Sequence, residues 1–506
     1  MEKLNRSFLA GYKASEGVEA AKIRAGLPER VLQFGEGNFL RAFADWMLHQ
    51  LNKKNLFNGK VVVVQPIAEG LADKINGQDG IYTLLLRGLQ DGKVTEQKEI
   101  IDVISRCLNP YGEWDSVLAC AENPDIEFVI SNTTEAGISY DASDKPDLNP
   151  PVSFPGKMTA YLYRRYQHFG GAADKGLAIL TCELIDRNGD NLKAIILRLA
   201  KEWGLSGEFC CWVETSNIFA NTLVDRVVTG YPRDEVAKLQ DQLGYADELM
   251  DTGELFHLWV IEGPKELAKR LPFTEVGLNV VWTDDMTPYR TRKVRILNGA
   301  HTSSVPASFL YGLETVKEMM DHPVTGKYVR QIIQEEILPS IDLERNMLEK
   351  FAGDVIERFE NPFIRHYLLS ILLNSSSKFK ARVLPSLLEY QKKTGTLPQR
   401  LVFSLAALIA AYQNGVIEGS GLRVKREAGD YIMKDDLPVL EFFAGLWAKF
   451  DGSQEAAMRL SQAVLENTGI WGSDLNEVPE LSAAVGKYLF KISRVGIQQT
   501  MQDLVR

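Results

Sequence analysis

The sequence predicts an α/β protein in which an N-terminal Rossmann-type dinucleotide-binding domain, residues 1–284, is followed by a mainly α-helical domain, residues 285–506. Three observations carry this expectation. Short β-rich apolar runs alternate with helical stretches through the first half of the chain, the pattern of a parallel sheet with crossover helices. The first of these runs ends in Gly35-Glu36-Gly37, a glycine turn of the kind that opens a nucleotide-binding helix. From about Thr287 onward 3.6-residue periodicity takes over and strand signals nearly vanish. At 506 residues the chain also exceeds what one hydrophobic core usually organises, so two or three domains are expected.

The elements follow in order. Arg30 to Phe34 is the first strand, and Phe39 to Leu51 the helix after it, because Phe39, Phe43, Trp46, Met47 and Leu51 recur at helical spacing. Val61 to Val64, four valines in a row, reads as a strand covered on both faces. Ile81 to Arg87, Phe128 to Ser131, Leu177 to Thr181 and Cys211 to Glu214 are further strand candidates, and Asp144 to Pro155 is a proline-rich loop. Val276 to Trp282 is strand-like and is broken by the turn Thr283 to Pro288, the expected domain boundary. Helices are then expected at Val305 to Met320, Lys327 to Ile337, Ile364 to Leu373, Leu401 to Tyr412 and Leu437 to Lys449.

Composition narrows the function classes. With 57 Lys plus Arg against 67 Asp plus Glu the formal charge is −10, and there is no long basic run, so nucleic acid is not an expected partner. The most apolar stretch, Leu401 to Tyr412, is shorter than the roughly twenty residues a bilayer needs, and Met1 to Gly11 lacks a signal-peptide core. A cytoplasmic protein without a membrane partner is expected. The five cysteines form no CxxC pair, the six histidines are scattered and HExxH is absent, so no dedicated metal site is expected. Nothing in the sequence signals an oligomeric state.

Two constellations carry chemistry. At the turn Gly35-Glu36-Gly37 backbone N–H groups and a helix N-terminus can meet a pyrophosphate, although Leu40 stands where the third glycine of the full fingerprint would be. The second strand ends at Gln65 rather than at an acid that would grip ribose hydroxyls, and no arginine follows at once, which favours NAD over NADP. The second constellation runs from Arg290 to Thr302. On a straight helix Asn298 lies about 140° and His301 about 80° around from Lys293, with Lys293 and His301 about 12 Å apart along the axis. Lys293 can shuttle a proton if neighbouring cations and burial lower its pKa, and Asn298 with His301 can hold a carbonyl oxygen between two donors. A solvated basic helix face has the same spacing. Tyr289 and Lys293 also make Y-x-x-x-K, which is discounted because it stands about 250 residues after Gly35, in the helical portion.

With these residues in view, the chain resembles the long-chain, metal-independent polyol dehydrogenases, the family of mannitol dehydrogenase and the hexuronate reductases. The resemblance runs in order through Gln33 to Phe43, Ser131 to Tyr140, Cys182 to Asp186, Thr222 to Asp234, Ile296 to Thr302 and Gly395 to Pro398. It implies NAD as cofactor and a small sugar or sugar acid as substrate. The family pattern K-x4-N-x2-H falls on Lys293, Asn298 and His301, which implies a lysine general acid in ketone reduction, an asparagine that steadies the alkoxide and a histidine that orients the substrate oxygen. It implies dinucleotide contacts along Leu32, Gln33, Phe34, Gly35, Glu36, Gly37, Asn38, Phe39, Leu40 and Arg41, and at Gln65, Asn132 and Thr133. Glu135, Asp225, Lys378 and Arg382 match substrate-side positions. One departure matters: Leu184 follows Cys182-Glu183 where mannitol dehydrogenases carry a second oxyanion-hole asparagine, and this pattern favours a uronate over a plain polyol. A uronate carboxylate calls for a cation, for which Arg365, Lys378 and Arg382 are candidates, and local positive charge is expected at Arg290 to Arg295. Fructuronate reductase and mannitol-type dehydrogenase are the alternatives within the family. A dinucleotide-sensing binding protein without turnover is the alternative outside it.

Overall fold

The computed structural model describes residues 1–15, 17–20, 26–426 and 428–506. These form two compact units, Met1–Thr287 and Pro288–Arg506.

The first unit is built on eight strands: β1 (Glu29–Phe34), β2 (Lys60–Val64), β3 (Ile104–Leu108), β4 (Phe128–Ser131), β5 (Ala178–Thr181), β6 (Ile218–Asp225), β7 (Leu258–Glu262) and β8 (Val280–Thr283). Their order across the sheet is β8-β7-β6-β5-β4-β1-β2-β3. The run β3-β2-β1-β4-β5-β6 is parallel throughout. Only β7 turns against β6. Strand order 3-2-1-4-5-6 is the dinucleotide-binding arrangement, and its ligand crevice opens at the carboxyl ends of β1 and β4, where the winding reverses. The sequence dictates this sheet through apolarity on both faces. Val31, Val61, Val63 and Ile130 face one core, and Leu32, Phe34, Val62, Val64 and Val129 face the other, with the period of two that a strand imposes. A second sheet, in the order Val18–Glu19, Lys93–Ile101, Tyr82–Gln90, Asp251–Gly253, holds the run expected at Ile81 to Arg87.

One expected strand is a helix. Cys211 to Glu214 lies inside the helix Gly207–Ser216, which Ser206 caps by accepting the Phe209 N–H. Phe209, Trp212 and Val213 fall on one helical face and are buried, so the spacing of the large side chains overrides the β-propensity of the short run. The strand comes after it, as β6.

The second unit is mostly helical. It opens with a continuous helical stretch made of Thr287–Arg292, a π-helical segment Lys293–Asn298, and Gly299–Tyr311. The helix expected over Val305 to Met320 therefore stops at Tyr311 and restarts at Val316, where Thr315 and Glu318 form a capping box. The one expected over Ile364 to Leu373 is shorter, Leu368–Leu372. Gln399–Ala410 is the central helix, with all its residues from Leu401 on buried. Strands are not absent here: Val416–Glu418, Gly421–Val424 and Tyr431–Met433 form a small antiparallel sheet. No helix of the described residues is long and apolar enough to cross a membrane.

Candidate active site

In the first unit the site begins at the carboxyl end of β1. Gly35 has φ +122°, and a Cβ there would lie 2.8 Å from the Asn132 carbonyl oxygen, so only glycine lets the turn pass against the end of β4. Gly37 faces open space, and the helix over 38–53 starts directly after it. A turn whose two glycines leave the backbone bare, at the switch point and at a helix N-terminus, fits a dinucleotide pyrophosphate.

The neighbours of this turn divide into those that face outward and those that shape it from below. Leu32, Phe34 and Leu40 point into the cores, with the Phe34 ring 5.0 Å from that of Phe154. Gln33 is fully buried and donates to the Gly35 carbonyl at 3.0 Å and to Asp45 at 3.2 Å. Arg41, also buried, donates to the Glu36 carbonyl, the Asn38 side chain and the Leu249 carbonyl. The Phe39 ring stacks on Phe43 at 4.9 Å. These side chains hold the loop in shape, and what they offer a ligand is a fixed backbone. Gln65 is turned inward: its amide donates to the Ile67 and Ala68 carbonyls at 2.8 and 2.9 Å and accepts the Ala72 N–H.

Sequence reasoning assigned no role to Glu183. Its carboxylate, buried at the end of β5, accepts the Thr133 N–H at 2.9 Å, the Thr133 hydroxyl at 3.0 Å and the Ser131 hydroxyl at 3.0 Å. Asn132 in turn donates to the Cys182 carbonyl at 2.7 Å. Glu183 and Asn132 thus lace the ends of β4 and β5 together, and burial raises the Glu183 pKa against the pull of those donors. Leu184, next in sequence, is 60% exposed. Glu135 is exposed on the loop after Thr134, and Asp225 closes β6 and is buried.

In the second unit the π-helical segment changes the geometry of the lysine motif. Hydrogen bonding from i to i+5 inserts one residue, which turns everything after it back by about 100°. Asn298 then lies about 40° around from Lys293 and His301 about 20°, so the three share one face, with Lys293 and His301 about 10 Å apart along the axis. The straight-helix expectation of about 140° and 80° is corrected by this single insertion. The His301 ring is stacked on Phe359 at 4.0 Å and met edge-on by His366 at 5.3 Å. Its Nε2 is shielded from solvent and has no hydrogen-bond partner among the described residues. Leaving such a group unpaired costs about 1–3 kcal/mol, which a ligand oxygen would recover. Burial first, and then the charges of His366, Arg358 and Arg382, drive the His301 pKa well below its ordinary value. His301 is therefore a neutral imidazole that offers hydrogen bonds rather than charge.

The positive charge expected at Arg290 to Arg295 is dispersed around the helix. Arg295 donates to the Ser386 and Ser340 hydroxyls at 2.6 and 3.1 Å, and Arg292 lies over the Phe351 ring at 4.4 Å. The charge near His301 comes instead from Arg358, Arg382 and Lys378. Lys378 donates to the Ile371 and Leu373 carbonyls at 2.9 and 2.5 Å, capping the helix Leu368–Leu372 with two of its three N–H bonds. Arg382 is half-buried and has no hydrogen-bond or ion-pair partner among the described residues, and Arg365 is exposed. Burial lowers the pKa of both Lys378 and Arg382, and Arg382 lowers that of Lys378 further. No group of three or more His, Cys, Asp or Glu among the described residues is arranged to hold a metal ion.

Family models match both units in order, the mannitol dehydrogenase Rossmann domain over residues 29–275 and the mannitol dehydrogenase C-terminal domain over residues 285–493. The chain belongs to the mannitol dehydrogenase family. It is 48% identical to an altronate oxidoreductase of Cronobacter sakazakii over 94% of this chain and 97% of that one. It is 44% identical to an altronate oxidoreductase of Bacillus subtilis over 99% and 98%. Among solved structures, it resembles in fold a Pseudomonas fluorescens mannitol 2-dehydrogenase in ternary complex with NAD and D-mannitol, with a TM-score of 0.71 at 23% identity over 99% of both chains. A D-sorbitol dehydrogenase in substrate-free form gives a TM-score of 0.81 at 19% identity over 99% and 100%. As a member of the mannitol dehydrogenase family the chain is an oxidoreductase acting on a CH–OH group with a nicotinamide dinucleotide.

Proposed function

We propose that this chain interconverts D-tagaturonate and D-altronate with NAD as cofactor, in the catabolism of galacturonate and in the cytoplasm. The observation that carries the reading is that Lys293, Asn298 and His301 share one helical face, with the charges of Arg358 and Arg382 acting on the His301 ring. Relatives named altronate oxidoreductase at 44–48% identity over nearly the whole chain support the substrate. The nicotinamide, when bound, supplies or accepts the hydride. The residues of the chain do the rest. Lys293 gives a proton to the carbonyl oxygen as it becomes an alkoxide, and takes it back in the reverse direction. Asn298 donates a hydrogen bond to that oxygen, and the Nε2 edge of His301, held by the Phe359 stack, orients it. Arg382 is the cation best placed to pair with the substrate carboxylate, because the Lys378 ammonium is already engaged by two carbonyls and Arg365 is exposed.

The test is direct. Purified protein with NADH should consume the nicotinamide absorbance with tagaturonate and not with fructuronate or fructose. Oxidation of NADH by fructuronate alone would move the chain to the fructuronate reductases, and by fructose alone to the mannitol-type enzymes. Tight NADH binding without turnover of any of the three would favour a dinucleotide sensor.

A further inference from the structure

We propose that Glu36, the middle residue of the glycine turn, takes the adenosine ribose hydroxyls of the dinucleotide and repels a 2′-phosphate. In a parallel dinucleotide-binding sheet an acid at the end of the second strand ordinarily does this work. Here Gln65 follows β2, and its amide spends its donors and its acceptor on its own loop. A second acid reaches the same place from the neighbouring strand. A Cβ on Gly70 would lie 2.4 Å from Glu36 Oε1 and 2.6 Å from Gln65 Oε1, so the Glu36 carboxylate rests beside the Gln65 amide, over the loop that follows β2. The missing side chain at Gly70 is what makes room for it.

The carboxylate is held there with little solvent, 8% exposed. Burial raises its pKa, and the Arg41 charge works against that rise. A carboxylate has about four acceptor sites, enough to take two ribose hydroxyls. Glu36 is also placed by the same turn that would receive the pyrophosphate, since Gly35 and Gly37 flank it. Pyrophosphate and ribose would then be gripped from one loop, which accounts for the absence of an acid at position 65. Against a 2′-phosphate the same carboxylate presents like charge where an NADP-binding protein presents an arginine.

The inference rests on the reading of NAD as the cofactor, and direct binding separates the two. Dissociation constants of NADH, NADPH and the adenosine 2′-deoxy analogue of NADH are measured on the full-length protein and on Glu36→Gln by protein fluorescence. The wild type should hold NADH at least about tenfold tighter than either analogue. Glu36→Gln should lose most of that discrimination, through weaker NADH binding and unchanged or tighter NADPH binding. If the wild type prefers NADH and Glu36→Gln weakens all three ligands by one common factor, Glu36 only shapes the loop and the assignment fails while the NAD reading stands. If the wild type binds NADPH as tightly as NADH, the NAD reading fails and takes the assignment with it. Should Glu36→Gln not fold, the wild type alone decides, because equal affinity for NADH and its 2′-deoxy analogue overturns the proposal.

Discussion

Two histidines, the buried His49 of the first unit and the half-buried His301 of the second, are pushed in opposite directions. His49 lies in the first unit with its Nδ1 3.0 Å from Asp102 and its Nε2 3.4 Å from Glu99. Burial works against its protonation, but those two carboxylates outweigh it and raise its pKa. Lys53 and Lys60 complete the group at 2.6 Å from Glu99 and 3.3 Å from Asp102. His301 in the second unit meets cations instead, and its pKa falls. Alternating charges neutralise one another and brace a fold, whereas like charges gathered around an unpaired ring nitrogen leave a demand that a negatively charged ligand satisfies.

The largest effect is expected at Lys293. Lys293→Ala should lower turnover by about 10²–10⁴-fold, the range that a general acid or base contributes, while NADH affinity measured by fluorescence stays unchanged. Unchanged turnover would remove Lys293 from the chemistry and favour the sensor reading.

Charge deletion then gives opposite readouts in the two units. Asp102→Asn should destabilise the protein by about 3 kcal/mol in a urea titration, because it removes a buried carboxylate shared by His49 and Lys60, and should leave the KM of the folded fraction alone. Arg382→Gln should change stability by less than about 1 kcal/mol yet raise the uronate KM by about 10–100-fold, the worth of a charged hydrogen bond. A neutral polyol should not sense the change. Equal stability losses in the two variants would show that Arg382 is structural. A smaller effect follows at His301, where His301→Gln should cost about tenfold in kcat/KM and leave the acid limb of the pH profile in place, since a neutral imidazole contributes no titration there.

How much of this was legible in the sequence depends on what carries the information. The sheet was legible because its strands are apolar on both faces and alternate with helices, and Gly35 was legible because only glycine makes the turn. The lysine motif could be found by its spacing and family likeness, but its geometry could not, because nothing in Lys293 to Asn298 announces a π turn. Glu183 stood in plain sight next to Cys182, and its role depends on hydroxyls of Ser131 and Thr133 about fifty positions away. His366 and Phe359 were hidden for the same reason: their place beside His301 is a product of packing between helices that sequence order does not show. Arg292 and Arg295 looked functional because they neighbour Lys293, yet on a helix adjacent residues point in different directions.

The smallest expected effect is also the sharpest test of the comparison, because it reads both units in one experiment. In the first unit burial raises Asp45 and Asp251 to about 7, so the native state takes up protons that the unfolded chain binds only nearer pH 4, and the unit gains stability as pH falls from 7. Glu99 is held down to about 2 by His49 and Lys53 despite its burial, so its contribution is complete above its unfolded value of 4.5 and drains away only as pH drops from there toward 2. His49, with a raised pKa, contributes fully below 6.5 and loses that contribution only as pH rises through its folded value. At His301 and His366 in the second unit the signs reverse. His301 and His366 both resist in the native state a proton that the unfolded chain accepts below 6.5, so each lowers stability as pH falls below that point. His257 in the first unit, lowered to about 3 by burial and the Arg226 charge, carries the same penalty, so the contrast is local: between about pH 6.5 and 4.5 the helices around His301 should loosen while the strands around Asp45 and His49 hold. Amide exchange corrected for intrinsic rates should show protection falling in Gly299–Tyr311 and Arg345–Phe359 and persisting in β1, β2 and β4. Protection lost in parallel in both units would mean that the charges around His301 are as well compensated as those around His49, and the distinction drawn between them would fall.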